Sequence, residues 1–209
     1  MIYDSRARAG SIVEYDNTNK SAPTFTHVSK SMHLSKVTAF KAVTISSTDL
    51  LIASRENPYE VSVFDITGAK KRQPEKICNY IFDDQVFGMD ISVESGKLLI
   101  YCAVDTYGLK ILKLNNLSAP TLANVHSDDR GGNAYGVAVS GSTATGYDGV
   151  HIFLANGSRG LEYYHYDTST LTHRDNHALD ADHGYHVAVQ PHNNPNANGH
   201  IFVSTRYRP

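Results

Sequence analysis

Apolar and polar residues alternate with period two along most of this 209-residue chain, and the alternation breaks at regular intervals. That period belongs to a strand with one buried face; a buried helical face would repeat every three to four residues. Four segments carry it most clearly: "AFKAVTIS", "VFGMDISV", "AYGVAVSG" and "GYHVAVQP". Aligned on their aromatic residues Phe40, Phe87, Tyr135 and Tyr185, they stand 47, 48 and 50 residues apart. A second apolar strand follows each: "LLIASR", "LLIYCAV", "HIFLANG" and "HIFVSTR". A third reads "EVSVFDITG", "GLKILKLNN" and "GLEYYHYDT", with an N-terminal copy in "GSIVEYDNT". Asp16, Asp65, Asn115 and Asp167 close these third strands. Asp and Asn suit such turns because their side chains bond their own backbone. The fourth strands, "TFTHVS", "KICNYIF", "TLANVH" and "LTHRDN", are more polar. They suit an outer edge, where charge discourages pairing with other chains.

Four short antiparallel strands per unit of about 47 residues predict an all-β fold, a β-propeller of about four blades. The alternative is a part of a larger ring. The reading treats 1–209 as a single domain, with blade repeats starting near 37, 85, 133 and 183. Segment 1–36 then completes the blade begun by 183–209. This closure represents one second strand twice, in "MIYDSR" and "IFVSTR". Either one strand of a small ring is displaced, or a larger ring is completed by other sequence or by a second chain, as in a homodimer. No helical periodicity competes. The units resemble propeller repeats of the LVIVD and YVTN type. The likeness rests on "AYGVAVSG" followed by "VHIFLANGSRGLEYYHYD" and covers nearly the whole chain. It implies a fold and not an activity, since propellers host many functions.

Composition narrows the classes. With 41% hydrophobic and 19% charged residues, a packed core is feasible and wholesale disorder is excluded. A net charge of −2 argues against a general nucleic-acid binder. No apolar run approaches the roughly 20 residues of a membrane span. The start, "MIYDSRARAG", lacks the apolar core of a signal peptide, so an extracellular location requires a leader already removed. Cys78 and Cys102 are too few for a disulfide framework and have no metal-ligand spacing, so they read as strand residues. Three glycosylation sequons occur, at Asn19, Asn116 and Asn156.

In a propeller, the loops from strand four to the next strand one share a rim with those joining strands two and three, and rigidly held loops carry function. The first set contains Asp84, Asp129 and Asp182, each shortly before the first-strand aromatic. The second contains Arg55, Asn57, Tyr107, Asn156 and Arg159. This mixture suits a sugar, whose hydroxyls pair with amides, acids and arginines and whose apolar face stacks on a ring. Asp84, Asp129 and Asp182 are also candidate ligands for a hard cation such as calcium. Histidine is enriched, with His173, His177 and His183 reading as turn residues; nothing in their spacing demands a transition metal. The segment "VSTRYRP" resembles part of the lactonase and carboxymuconate-cyclase propellers. That resemblance implies a substrate-binding Arg206, with His186 standing in for the family's histidine. Where that histidine would stand in another blade, this chain has Gly88.

The first functional expectation is therefore a non-catalytic binding module for a glycan or a protein. A lactonase-like or cycloisomerase-like enzyme using Arg206 and His186 is the alternative. A structural or adhesive surface protein is the second alternative.

Overall fold

The computed structural model describes residues 36–142, 149–167, 169–179, 183–190 and 200–206, plus the backbone of four short strands before residue 36. Side chains are described from residue 36 onward, apart from those of Ser142 and Arg206. The chain divides into two compact units, Met1–Ile81 and Phe82–Pro209.

In the first unit, β1 (Ile2–Asp4) pairs with β2 (Ala9–Ser11), and β3 (Val13–Asp16) with β4 (Thr24–His27). Then β5 (Val37–Ile45), β6 (Thr48–Glu56), β7 (Tyr59–Asp65) and β8 (Glu75–Ile81) form a four-stranded antiparallel meander. In the second unit, β9 (Val86–Glu94), β10 (Lys97–Val104), β11 (Gly108–Leu114) and β12 (Leu122–Asp128) form another such meander. A third consists of β13 (Ala134–Ser142), β14 (Gly149–Asn156), β15 (Leu161–Asp167) and β16 (Thr170–His177). Finally β17 (His183–Val189) pairs with β18 (Ile201–Arg206). Among the described residues the one helical turn is Gly68–Arg72, a 3-10 segment between β7 and β8. The fold is all-β and propeller-like, built from repeated antiparallel sheets.

The three complete sheets are copies down to their irregularities. Each first strand pairs with its second through a β-bulge near its start, where one residue is left out of the ladder. The same bulge recurs between β17 and β18. The extra residue is Thr38, Phe87, Tyr135 and Tyr185 in turn. A bulge re-aims the side chain it carries. Phe87 and Tyr135 have ring centroids 5.2 Å apart, and Tyr135 and Tyr185 stack at 4.6 Å. The alignment on Phe40 is thereby corrected. Phe40 pairs in the regular ladder with Ala53 and is exposed; the true counterpart lies two residues earlier, at Thr38. An aromatic near the right spacing hid a slip of one pleat repeat. A second bulge falls at matching places between strands three and four, leaving out Ile77, Val125 and Arg174.

The residue after the first bulge decides how closely successive sheets approach. A Cβ on Gly88 would lie 2.7 Å from Tyr135 O and 2.8 Å from Gly136 Cα. One on Gly136 would lie 2.8 Å from Tyr185 O and 3.0 Å from His186 Cα. The first strands β9, β13 and β17 thus lie backbone against backbone, and glycine is what admits the next strand. The Val139 amide also donates to Asp90 Oδ2 across this seam (2.9 Å). Away from the seam, one apolar cluster joins Leu99, Tyr101, Leu109 and Ile111 of the β9–β12 sheet to Val150, Ile152, Leu154 and Tyr164 of the next.

Local turn chemistry follows the sequence. Ser95 and Gly96 both take positive φ, +51° and +75°, as a two-residue hairpin turn of the right twist requires. Asp65 Oδ1 accepts the Thr67 amide, and Asp167 Oδ1 accepts those of Ser169 and Thr170. The β17–β18 pair differs from the complete sheets. Ile201 and Phe202 are exposed, 38% and 64%, while their register counterparts Ile100, Tyr101 and Ile152 are fully buried and Phe153 is half-buried.

Candidate functional site

In an antiparallel meander the turns after strands two and four come out at one end and those after strands one and three at the other. Within the second unit the first set does gather into one rim. The Asp84 carboxylate, before β9, accepts from Thr106 Oγ1 in the β10–β11 turn (2.7 Å). Asp105 in that turn accepts from Asn133 Nδ2, and its carbonyl accepts the Ala134 amide (2.8 Å). One sheet further on, the Gly157 carbonyl accepts the Gly184 amide (3.1 Å) in the same geometry. Asn156 Nδ2 donates to Gly131 O (2.9 Å). Each turn after a second strand is therefore tied to the start of the next sheet's first strand.

Behind this rim, one register position of the third strand carries a charge in each four-stranded sheet of the second unit. In the β13–β16 sheet it is Glu162, fully buried, paired with Asn176 one step before the bulge. Arg159 Nε donates to its Oε1 (2.6 Å), and His173 Nε2 lies 2.6 Å from its Oε2. The hydrogen bond and charge of Glu162 raise the Arg159 pKa further. Tyr164, also fully buried, meets His173 edge-on with centroids 5.0 Å apart, and burial pushes its phenol pKa up. In the β9–β12 sheet the same position holds Lys110, paired with Ser127. Its Nζ lies 4.7 Å from the Tyr107 centroid and 5.6 Å from that of Phe82. Tyr107 occupies the turn position of Arg159, each just before a left-handed glycine, Gly108 and Gly160. A cation–π contact thus replaces the buried ion pair.

The first unit repeats the theme with shifted residues. Ser62 holds the equivalent position, and the carboxylate comes from Glu60 two residues earlier on the same face. Glu60 is 3% exposed. It accepts from Ser62 Oγ (2.6 Å) and Asn79 Nδ2 (3.4 Å), with Arg55 Nε at 2.9 Å and Lys76 Nζ at 3.7 Å. Burial opposes its ionisation, but Ser62, Arg55 and Lys76 outweigh that and hold its pKa below the ordinary 4.5.

Of the residues singled out from sequence, Asp84 and Tyr107 stand together on the rim, and Tyr107 is 40% exposed. Burial likewise opposes ionisation of Asp84, yet hydrogen bonds from Thr106 and the Gln85 amide lower its pKa. Asp129 is exposed and accepts the Gly131 amide, shaping its own turn. Asn156 is on the rim but 1% exposed. Arg159 is committed to Glu162 and Arg55 to Glu60. Asn57 is exposed in the β6–β7 turn of the first unit. His186 is exposed, and its amide donates to Ser204 Oγ (3.1 Å). Asp182 and the Arg206 side chain lie outside the described residues. Among the described residues no three His, Cys, Asp or Glu side chains are grouped to hold a metal ion. The histidines read as turn residues are in strands: His173 and His177 in β16, His183 in β17.

Glu60, Lys110 and Glu162 were not recognised as site residues. Their signal was present: a charge inside an otherwise apolar strand, in "EVSVF", "GLKIL" and "GLEYY". Comparison with known protein families finds no matching family model, and comparison with curated proteins finds no match.

Proposed function

We propose that this chain is a non-catalytic carbohydrate-binding module with propeller repeats of the LVIVD/YVTN type, and that the rim of the second unit receives the ligand. The observation that carries the reading is Tyr107. The residue is 40% exposed, its ring backed by the Lys110 ammonium and flanked by the Asp84–Thr106 pair. A fixed aromatic face beside polar acceptors is what a sugar ring uses, stacking its C–H face while its hydroxyls pair at the edge. Arg130, exposed and held by Asp128 at 3.2 Å, and the exposed Asp129 extend the polar border. Each Asp84 oxygen accepts one internal hydrogen bond, which holds the carboxylate in place and leaves a lone pair of each oxygen for a sugar hydroxyl.

A glycan array probed with the full chain, once with calcium and once with chelator, tests this. Binding is expected in both conditions. Tyr107→Ala should weaken it by at least tenfold while leaving the far-ultraviolet circular dichroism unchanged. Retention of no glycan in either condition, or full binding by Tyr107→Ala, would overturn the reading.

A further inference from the structure

The three sequons are chemically alike in sequence and very unlike in space. Asn156 is 1% exposed, and its Nδ2 donates to Gly131 O (2.9 Å). The next residue, Gly157, has φ of +47° and sits where a Cβ would approach Asn133 O to 3.1 Å. A glycan on that nitrogen would break the Gly131 bond and need room that the seam between two sheets lacks. Asn19 lies outside the described residues.

Asn116 is the opposite case. It is exposed in the β11–β12 connection. The base of that connection is closed by the Asn115 amide to Thr121 O (3.1 Å) and by Asn115 Nδ2 to Thr121 Oγ1 (3.2 Å). The Asn116 side chain accepts through Oδ1 from the Ser118 amide (2.9 Å) and Ser118 Oγ (2.8 Å). The carbonyl oxygen is thus engaged by the serine hydroxyl that the sequon requires, in a residue that is itself exposed. The connection also lies at the far end of β11 from Tyr107. A strand rises about 3.3 Å per residue, so seven residues place the two ends roughly 20 Å apart.

We infer that Asn116 is an N-glycan acceptor, and that Asn156, despite its sequon, is not. The donor is an oligosaccharide linked to a polyprenyl diphosphate. Nδ2 of Asn116 forms the new bond to the anomeric carbon and loses one proton to a base of the transferase. The anomeric C–O bond breaks, and polyprenyl diphosphate leaves with the bonding pair. The attached chain projects from the end of the sheet opposite the rim and leaves the rim uncovered. This inference does not depend on what the rim binds.

The test is secretion of the full chain behind a cleavable leader in glycosylating eukaryotic cells, reading both medium and microsomes. A gel shift removed by peptide N-glycosidase is expected. It should shrink by one glycan in Asn116→Gln and in Ser118→Ala, and keep its full size in Ser158→Ala, which removes the Asn156 sequon and keeps its side chain. Mass analysis of the deglycosylated peptides should place the conversion to aspartate at residue 116 and not at 156. Absence of any shift in both fractions, a shift surviving Ser118→Ala at full size, or conversion at residue 156 in folded chain would overturn the inference. Gel filtration of each variant separates loss of the glycan from loss of the fold.

Discussion

Gly136→Ala is the sharpest perturbation of the frame. The new methyl would sit 2.8 Å from Tyr185 O, 3.0 Å from His186 Cα and 3.2 Å from Val187 N. All three are backbone atoms of the neighbouring first strand, so no side chain can swing aside. Overpacking of this kind costs roughly 1–3 kcal/mol. Against it, Gly→Ala at a position without positive φ reduces unfolded-state entropy and stabilises by about 0.4–1 kcal/mol. The overpacking term wins, leaving a net loss of about 1–2 kcal/mol. For a chain near 200 residues that lowers the melting temperature by roughly 2–8 °C. Gly88→Ala repeats the experiment one sheet earlier, with the closest approach at 2.7 Å, and should give a similar loss. Gly131→Ala is the informative contrast. Its Cβ meets nothing within 4 Å, while its φ of +74° is strained for any other residue. It should cost about 1 kcal/mol through the backbone alone. Urea titration followed by circular dichroism and by tyrosine fluorescence measures all three. Unchanged or raised midpoints in both Gly88→Ala and Gly136→Ala would refute the backbone-to-backbone packing of β9, β13 and β17.

Glu162→Gln keeps the shape but removes the charge that Arg159 and His173 share; with Arg159 able to rehydrate, urea titration should show a loss of roughly 1–3 kcal/mol. Acid titration tests Glu60. Its folded pKa lies below 4.5, so its contribution is present above that value and lost as pH falls through the folded pKa. Glu60→Gln should flatten the fall in melting temperature below about pH 4.5. Burial pushes the Cys78 thiol up to about 11 and raises that of Cys102 as well. A thiol reagent at pH 8 should therefore react slowly with native chain and rapidly with both cysteines in urea.

The repeat was legible because strand alternation and turn residues are local properties. Asp65 and Asp167 close their strands by bonds to residues two or three positions on, and any reading of turns finds them. The phase of the first copy was not legible, because a bulge adds a residue without leaving a compositional mark. Phe40 and Thr38 differ by one pleat repeat, and only the ladder distinguishes them. The rim was legible as a location, since the meander alone dictates which turns meet. What its residues do there was not. Arg159 looks like a free outward ligand in sequence, and Tyr107 like an unsupported one. Their commitments run inward to Glu162 and Lys110, and those partners become visible only when strand three is placed behind the turn.

The charged position behind the rim explains why repeated sheets need not mean repeated pockets. The frame is conserved within the molecule at the bulges, at Gly88 and Gly136, and at the paired amides of Ala134 and Gly184. The third-strand charge is not: it is cationic at Lys110 and anionic at Glu162. Each sign selects its own cover, an aromatic over the cation and an arginine over the anion. The cover is the residue that the turn presents at the rim. One substitution in strand three therefore changes the surface chemistry of its sheet, while the seam that holds successive first strands together is left unaltered. Swapping the pair as a unit, with Lys110→Glu and Tyr107→Arg together, should retain stability better than either change alone. A double-mutant cycle showing no coupling between the two positions would separate the rim from the strand behind it.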